Sequence, residues 1–190
     1  GVVGGKDMYT LIVRDITERR QMEDRVRRIA NHDSLTGLPN RGLLMDRLEV
    51  AMAQVRRLGG QFALLFVDLD QFKPVNDTFG HDCGDYALKE LAIIVADYFS
   101  DYSAARFGGE EFCVILPSTS SLVGRQVAER LRSMVEQNSM TLDTGKILSV
   151  TVSIGLSTFT STSQISLEKF ISLCDEQLYA AKKAGRNCVE

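Results

Sequence analysis

The run Arg106-Phe107-Gly108-Gly109-Glu110-Glu111-Phe112 places two adjacent carboxylates directly after two glycines. Apolar residues flank the run on both sides, which predicts a β-hairpin whose turn carries the acids. Glycine lets the backbone turn with positive φ and lets a ligand approach closely. Two carboxylates on one tight turn repel each other unless a cation lies between them. The turn therefore favours a divalent metal, which proteins commonly hold for phosphate chemistry.

A second candidate site follows a buried strand, predicted from Phe62 to Val67 because six consecutive residues are apolar. The strand ends in Asp68-Leu69-Asp70, and ligand sites of α/β folds cluster at such strand ends. Residues two apart share a face, so both carboxylates can point the same way unless the chain bends. A solvated strand end is the alternative interpretation. A calcium loop is excluded, because Phe72 and Lys73 stand where a ligand and a glycine are needed.

The remaining pattern predicts helices that alternate with strands. From Phe62 onward the order is strand, helix, two strands, helix, strand, helix, which is close to the ferredoxin-like pattern. The fold class is therefore α/β, an α+β sandwich in which helices flank a central mixed β-sheet with one antiparallel hairpin. The other predicted elements are helices over 42–58, 84–99, 121–137 and 166–184 and a strand over 147–155.

The N-terminal part predicts a segment of its own. A strand is predicted over 8–13, and Asp15 with Glu18 matches the capping box of a helix that runs to about residue 31. The apolar stripe of this helix consists of Met22, Val26 and Ile29. Such a narrow stripe on a charged helix suits pairing with another helix, although an ordinary surface helix shows the same pattern.

The composition is that of a soluble globular domain with an appendage: 190 residues, 44% hydrophobic and 25% charged. A net charge of −3 argues against a nucleic-acid partner. No apolar run approaches the roughly 20 residues of a membrane span, and no signal peptide opens the chain. Four scattered cysteines, at 83, 113, 174 and 188, favour free thiols in a reducing cytoplasm. The start without Met favours a fragment of a longer protein.

Two cations end the last predicted helix. Lys182 and Arg186 lie one turn apart, on one helix face, and so predict a phosphate contact. Complementing the helix dipole is the alternative role. The sequence has no P-loop and no dinucleotide-binding glycine pattern. With only His32 and His81 available, a Ser-His-Asp triad is unsupported.

Five motifs, in order, give the chain a family resemblance that runs from about Asp33 to the end. They are Asp33–Arg41 (DSLTGLPNR), Asp68–Asp85 (with DLDQFK, ND, GH and GD), Gly108–Phe112 (GGEEF), Thr151–Gly155 (TVSIG) and Leu178–Asn187 (LYAAKKAGRN). Together they resemble the GGDEF family of diguanylate cyclases, with the signature in its GGEEF form.

The resemblance implies a fold related to nucleotide-cyclase and polymerase palms. It implies that two GTP give cyclic di-GMP and two pyrophosphates. Each domain would hold one GTP, and two domains would face each other across a two-fold axis, so a homodimer is needed. The cofactor would be Mg²⁺, with Mn²⁺ as the alternative. The alternative function is a catalytically silent GTP-binding module that regulates an attached output domain.

The resemblance also implies roles for individual residues. Asp68, Glu110 and Glu111 would be catalytic, with Glu110 as the proton acceptor. The metal ligands would be Asp68, Glu110, Glu111 and the carbonyl of Leu69. Asn76 and Asp85 would read the guanine edge. The other substrate contacts would be Phe72, Lys73, His81, Gly109, Lys182 and Arg186.

One expected feature of the family is missing. The family's product-inhibition motif, an Arg and an Asp three residues apart ahead of the signature, falls on Phe99 and Tyr102. Neither side chain can form a bidentate clamp on guanine or phosphate. We therefore expect product inhibition through this site to be absent.

The resemblance divides the chain into three parts. Residues 1–16 would be the C-terminal remnant of a PAS-like sensor domain, 17–32 a signalling linker helix and 33–190 the cyclase domain. A downstream EAL phosphodiesterase domain would be a further partner in the full-length protein. The expected location is the cytoplasm, with the full-length protein either free or attached to a membrane.

Overall fold

The computed structural model describes residues 15–99, 104–142 and 145–190. The chain divides into two compact units, residues 1–30 and 31–190. The strand predicted over 8–13 lies outside the described residues. Within the described ranges, no helix is both long and apolar enough to cross a membrane.

The helices and strands follow each other without long irregular connections. The helices are α1 Thr17–Asn31, α2 Arg41–Leu58, α3 Phe72–Phe79, α4 His81–Tyr98, α5 Ser121–Gln137 and α6 Leu167–Lys183. The strands are β1 Gln61–Leu69, β2 Ala104–Gly108, β3 Glu111–Pro117, β4 Ser139–Thr141, β5 Ile147–Ser149 and β6 Val152–Thr160.

Helix α1 confirms the predicted N-terminal helix. Asp15 accepts a hydrogen bond from the Thr17 backbone at 2.9 Å, as expected of a helix N-cap. The predicted apolar stripe is solvent-exposed, with Met22 62%, Val26 59% and Ile29 71% accessible. Among the described residues of its own unit, from 15 to 30, this stripe therefore has no side chain packed over it.

A four-stranded sheet in the order β2-β3-β1-β6 forms the centre of the second unit. All three strand pairs are antiparallel. The predicted mixed sheet requires parallel pairing as well. In the described residues, such pairing is limited to one isolated bridge between Ile154 and Val189. The register of β1 places Asp68 opposite Glu111 on one side and opposite Ser153 on the other. The sheet thus brings the two candidate acidic segments together.

The core lies on both faces of β1, which is why its sequence is continuously apolar. Leu65, Val67 and Leu69 pack in one cluster with buried residues of α4 and α5. Leu64 and Phe66 pack in the other cluster with buried residues of α2 and α6. The sheet is therefore sandwiched between two helical layers, and α6 lies on the face toward which Phe66 points.

The strand predicted over 147–155 is interrupted in the structure. Residues 147–149 form β5, which pairs with β4 in a separate two-stranded sheet, whereas β6 begins at Val152 and pairs with β1. The alternation of side chains continues through Val150 and Thr151, but the backbone partner changes there. At this junction the Thr151 carbonyl accepts from the Asp70 backbone at 2.9 Å.

A short helix, α3, occupies what the sequence predicted as a polar segment. It begins at Phe72, so Pro74 falls in the first turn, where the missing backbone N–H of proline removes no helical hydrogen bond. Its preceding residue, Gln71, has a left-handed conformation with φ 56°. The helix is followed at once by α4, with Gly80 between them.

Gly155 lets α6 lie directly on β6. A Cβ at this position would collide with the Leu178 backbone nitrogen and the Cys174 carbonyl, both of which are helix backbone. The Cys174 thiol also donates to the Gly155 carbonyl at 3.4 Å. Neither backbone group can move away without shifting the whole helix.

Substituting Gly155→Ala is expected to lower the free energy of unfolding by about 1–3 kcal/mol. Gly124→Ala is the milder control, because its Cβ would meet no backbone atom of a neighbouring element: the nearest atoms are the flexible end of Leu156, Cδ1 at 3.0 Å, and the Ala63 Cβ at 3.3 Å. Urea unfolding of both variants measures the difference. Equal stability of the two variants would contradict the backbone contact at Gly155.

Candidate active site

The buried end of β1 forms the centre of the site. Asp68 is 4% exposed, and its Oδ2 lies 2.8 Å from the Lys182 ammonium of α6. Glu111 faces Asp68 in the β1–β3 register. The Glu110 carbonyl accepts from the Leu69 backbone nitrogen at 3.2 Å. The structure thus brings together the four predicted metal ligands and one of the two predicted phosphate cations.

Negative charge accumulates at this strand end. Burial raises the pKa of Asp68, as do the charges of Glu110 and Asp70, while the hydrogen bond and charge of Lys182 oppose the rise. Burial and the charge of Asp68 also raise the pKa of Glu111. Burial, with the neighbouring carboxylates, thus disfavours the ionised forms of Asp68 and Glu111, and a bound cation would stabilise those forms.

The donor set fits a hard divalent cation, because every candidate ligand is a carboxylate or carbonyl oxygen. In the part of the chain that the structure describes, no three His, Cys, Asp or Glu side chains form a ready-made metal cluster. The Lys182 ammonium, beside Asp68, supplies one positive charge at this strand end.

Arg106 fixes the turn that carries the two glutamates. Its Nε and Nη2 donate to the Gly109 carbonyl at 3.0 and 2.7 Å, and its Nη1 donates to Asp33 at 2.9 Å. Gly109 adopts φ 52°, and the β2–β3 register shifts between Arg106 and Gly108. Residue-by-residue prediction assigned no role to Arg106 or Asp33, although both belong to the quoted motifs.

Asp33 connects this turn to the segment before α2. It accepts from the Thr36 backbone at 2.9 Å and from the Thr36 hydroxyl at 2.8 Å. The Pro39 carbonyl accepts from the Arg106 backbone at 2.9 Å. The motif Asp33–Arg41 therefore supports the turn that carries Glu110 and Glu111. Asp33 and Arg106 lie 73 residues apart, so the sequence alone does not reveal this contact.

Substituting Asp33→Asn is expected to slow turnover by about tenfold, because the turn loses its ionic support. Burial raises the pKa of Asp33, but hydrogen bonds from Thr36 and Arg106 outweigh it and lower the pKa. A lowered folded-state pKa stabilises the fold above the unfolded value, and this contribution disappears as pH falls through the folded value. The stability deficit of the variant should thus be full at neutral pH and shrink below about pH 4.

Urea unfolding of wild type and Asp33→Asn at several pH values tests this dependence. Asp46→Asn is the matched control, because Asp46 is exposed on α2. A stability deficit of Asp33→Asn that stays constant between neutral pH and pH 3 would show that the ionised carboxylate is not what holds the turn.

The predicted guanine-reading residues lie on α3 and α4. The Asn76 Oδ1 is buried and has no hydrogen-bond partner, a costly state for a polar atom unless a ligand donates to it. Gly84 of α4 makes room for it, since a Cβ there would collide with this oxygen. The remaining predicted contacts on these helices, Lys73, His81 and Asp85, are exposed, and Phe72 is half-buried.

Asp70 does not join Asp68 in the acidic cluster. Its carboxylate accepts from the Thr151 hydroxyl at 2.7 Å, the Ser153 hydroxyl at 2.6 Å and the Asn187 backbone at 3.0 Å. The two aspartates thus have different partners, Lys182 for Asp68 and these three donors for Asp70. The interpretation as a solvated strand end is wrong, because Asp68 is 4% and Asp70 5% exposed.

Arg186 does not share a helix face with Lys182, contrary to the prediction. Helix α6 ends at Lys183, and Arg186 lies in the following turn with φ 65°. Its side chain is exposed, whereas Lys182 reaches Asp68. Lys182 is therefore held on the helix beside Asp68, whereas Arg186 lies beyond the end of the helix.

Phe99 and Tyr102 were the residues expected to replace an inhibitory clamp. Phe99 is buried and lies against Tyr98 with ring centroids 4.7 Å apart. Tyr102 lies outside the described residues. The four cysteines carry free thiols, as predicted.

The structure thus combines an antiparallel sheet flanked by helices with an acidic hairpin beside the ion pair of Asp68 and Lys182. A family model described as "Diguanylate cyclase, GGDEF domain" matches residues 30–188. The chain belongs to the GGDEF family of diguanylate cyclase domains. Members of this family generally depend on a metal ion.

Relatives of this chain include curated diguanylate cyclases. It is 42% identical over 175 residues to Diguanylate cyclase DgcP of Pseudomonas aeruginosa, with 89% of this chain and 25% of the relative covered. It is 36% identical over 181 residues to Response regulator PleD of Caulobacter vibrioides, covering 90% and 40%. The chain therefore spans well under half the length of these relatives.

Solved structures give the same family and fold. The coiled coil and GGDEF domain of DgcB from Caulobacter crescentus, in complex with c-di-GMP, superposes with a TM-score of 0.86 at 32% identity. The match covers 92% of each chain. Such solved GGDEF domains have the palm-like cyclase fold, which confirms the predicted fold class.

Proposed function

We propose that this domain condenses two GTP into cyclic di-GMP and releases two pyrophosphates. The observation that carries the proposal is the buried Asp68, in register with Glu111 and ion-paired to Lys182 at 2.8 Å. The carboxylates that would hold a metal ion and the ammonium that would contact a phosphate thus lie at the same strand end. Membership of a diguanylate cyclase family supports the same reaction.

Guanine would be read by Asn76 and Asp85. The unpartnered Asn76 Oδ1 supplies an acceptor for a guanine N–H, and the exposed Asp85 carboxylate supplies another. Adenine lacks the adjacent N1 and N2 donors of guanine, so two acceptors favour GTP over ATP. Leaving a buried acceptor unpaired makes the wrong base costly.

The triphosphate would lie between α3 and the end of α6. The backbone of Phe72 and Lys73 opens α3, and helix N-terminal N–H groups favour anions. Lys182 and Arg186 would contact the terminal phosphates. His81 and Gly109 complete the proposed substrate contacts.

Asp68, Glu110, Glu111 and the Leu69 carbonyl would hold Mg²⁺, or alternatively Mn²⁺. When bound, the ion would neutralise phosphate charge and make the substrate hydroxyl more acidic. Glu110 would accept the proton of the 3′-hydroxyl. The 3′-oxygen then bonds to the α-phosphorus of the second GTP, and the bond from this phosphorus to the pyrophosphate oxygen breaks.

Two domains are needed, because each holds one GTP and each supplies half of the reaction. The exposed stripe of α1 at Met22, Val26 and Ile29 supports pairing of this helix with a second copy. We further infer that residues 1–16 end a PAS-like sensor, that residues 17–32 relay its signal, and that the domain works in the cytoplasm. An EAL domain downstream would complete the full-length protein.

Incubation with GTP and Mg²⁺, followed by separation of the nucleotides, tests the function. Cyclic di-GMP should form, and activity per molecule should rise with protein concentration. GTP binding without product at high protein concentration would instead support the silent regulatory module. Flat specific activity would contradict the two-domain mechanism.

Product feedback through the position of Phe99 and Tyr102 is expected to be absent, because neither residue offers a charged clamp. Calorimetry with cyclic di-GMP on protein whose active site is already filled with a non-hydrolysable GTP analogue measures this. Tight additional binding that is lost on substituting Phe99 would contradict the expectation.

A further inference from the structure

A buried carboxylate outside the proposed reaction, Asp70, holds the turn that follows α6. We propose that Asp70 is a positioning residue: through Asn187 it fixes the turn that carries Arg186, and so sets how tightly the domain binds the terminal phosphates of GTP. The inference rests on the proposed function, which assigns Arg186 to those phosphates.

The turn after α6 is conformationally costly. Gly185, Arg186 and Asn187 have φ of 117°, 65° and 49° in succession. Residues other than glycine rarely adopt positive φ, and such conformations persist where the surroundings hold them. The position of the Arg186 guanidinium therefore depends on contacts made by its neighbours.

Asn187 supplies these contacts. Its backbone nitrogen donates to Asp70 at 3.0 Å, its Nδ2 donates to Glu136 at 2.8 Å and its Oδ1 accepts from Arg132 at 2.7 Å. The first bond ties the turn to the end of β1, and the other two tie it to α5. The Arg186 backbone itself donates to the Ala181 carbonyl at 3.1 Å. The segment is thus held on both sides of Arg186 while the side chain stays exposed.

The site around Asp70 requires a carboxylate rather than an amide. Three donors point at it: the hydroxyls of Thr151 and Ser153 and the backbone N–H of Asn187. Hydrogen bonds to an ionised acceptor are about twice as strong as neutral ones. An asparagine would turn its NH₂ group toward at least one of these donors, so that a hydroxyl there must reverse and accept, and it would remove the negative charge that strengthens all three bonds.

Lys182 provides the contrast within the same site. Lys182 lies on α6, so the helix itself determines its position, and its ammonium is held by Asp68. Arg186 lies beyond the helix end, so of these two cations it is the one whose placement depends on the turn. Loss of Asp70 should therefore affect phosphate binding through Arg186 and leave guanine binding intact.

Calorimetric titration with α,β-methylene GTP and with GMP, in the presence of Mg²⁺, tests the proposal. The analogue cannot release pyrophosphate and stands for GTP in the binding comparisons that follow. Asp70→Asn should weaken GTP binding by about tenfold, the value of one charge-assisted hydrogen bond, and change GMP binding by less than about twofold. Arg186→Ala should show the same pattern. In the double variant the GTP loss should not exceed that of Arg186→Ala, because both changes remove one interaction.

Asp97→Asn is the matched control, since Asp97 is exposed near the end of α4. This variant should bind both nucleotides like wild type. Equal losses for GTP and GMP in Asp70→Asn, or additive losses in the double variant, would overturn the proposal. If Asp70→Asn fails to fold, Thr151→Val decides. Valine keeps the shape of threonine and the carboxylate of Asp70, but it removes the hydroxyl that orients Asp70 Oδ2, the atom that accepts from the Asn187 backbone.

Thr151→Val should weaken GTP binding at least about threefold with GMP unchanged, and unchanged GTP binding would overturn the proposal. These binding measurements are separate from the cyclase assay. Failure of wild type to form cyclic di-GMP would reject the proposed function while the GTP-specific loss still stood. Loss of the GTP-specific pattern in an active cyclase would reject the role of Asp70 alone.

Discussion

Substituting Glu110→Gln is expected to abolish cyclic di-GMP formation, with a loss of at least about 10³-fold. Glutamine keeps the size of the side chain and leaves the bond from the Leu69 nitrogen to the residue 110 carbonyl in place. It removes the proton acceptor and one negative charge beside Asp68, whose pKa that charge helps to raise. The loss should thus fall on the chemical step.

Turnover and GTP affinity separate chemistry from binding for this variant. Product formation should disappear while the GTP dissociation constant changes by less than about tenfold, since the guanine contacts are untouched. Glu49→Gln is the matched control, because Glu49 is exposed on α2. A Glu110→Gln variant that keeps a tenth of wild-type turnover would exclude Glu110 as the proton acceptor.

Local patterns were sufficient to predict most of the elements. The helix predicted over 121–137 has these bounds in the structure, and the apolar run at 62–67 is the centre of β1. Helix periodicity and a run of buried residues are properties of a short window, so they are visible in sequence. The signature turn was also predicted from glycines alone, and Gly109 does adopt positive φ.

What the sequence did not reveal depends on distant partners. The break between β5 and β6 leaves no mark in the side-chain alternation, because it is the partner strand that changes. The roles of Asp33 and Asp70 depend on bonds to Arg106 and Asn187, which lie 73 and 117 residues away. A motif shows that such a residue is constrained, whereas only the fold shows which atoms it holds.

The acidic cluster shows the same limit in its charges. The resemblance placed Asp68 and the two glutamates together, but it did not show that Lys182 pairs with Asp68. The hydrogen bond and charge of Lys182 oppose the rise that burial and the neighbouring carboxylates cause in the pKa of Asp68. Lys182 therefore stabilises the ionised Asp68 as well as serving the proposed phosphate contact, and its removal would affect both.

Substituting Gly84→Ala is expected to raise the KM for GTP by about 100-fold, because it displaces a guanine-reading group by roughly 1 Å. The new Cβ would collide with the Asn76 Oδ1 and would lie 3.1 Å from Phe72 Cε2. Asn76 must then move, and the buried acceptor proposed for guanine moves with it. Alanine is the better helix former, so the α4 backbone itself should not be destabilised.

Comparing GTP with ITP, which lacks the exocyclic 2-amino group, locates the damage. Wild type should prefer GTP, since ITP leaves one acceptor of the site unpaired, and Gly84→Ala should lose most of this preference. Gly124→Ala makes the same change in helix α5 and should keep the wild-type KM and preference. A Gly84→Ala variant with a raised KM but an unchanged preference for GTP would show that Asn76 does not contact the 2-amino group, because ITP keeps every other donor of the guanine edge.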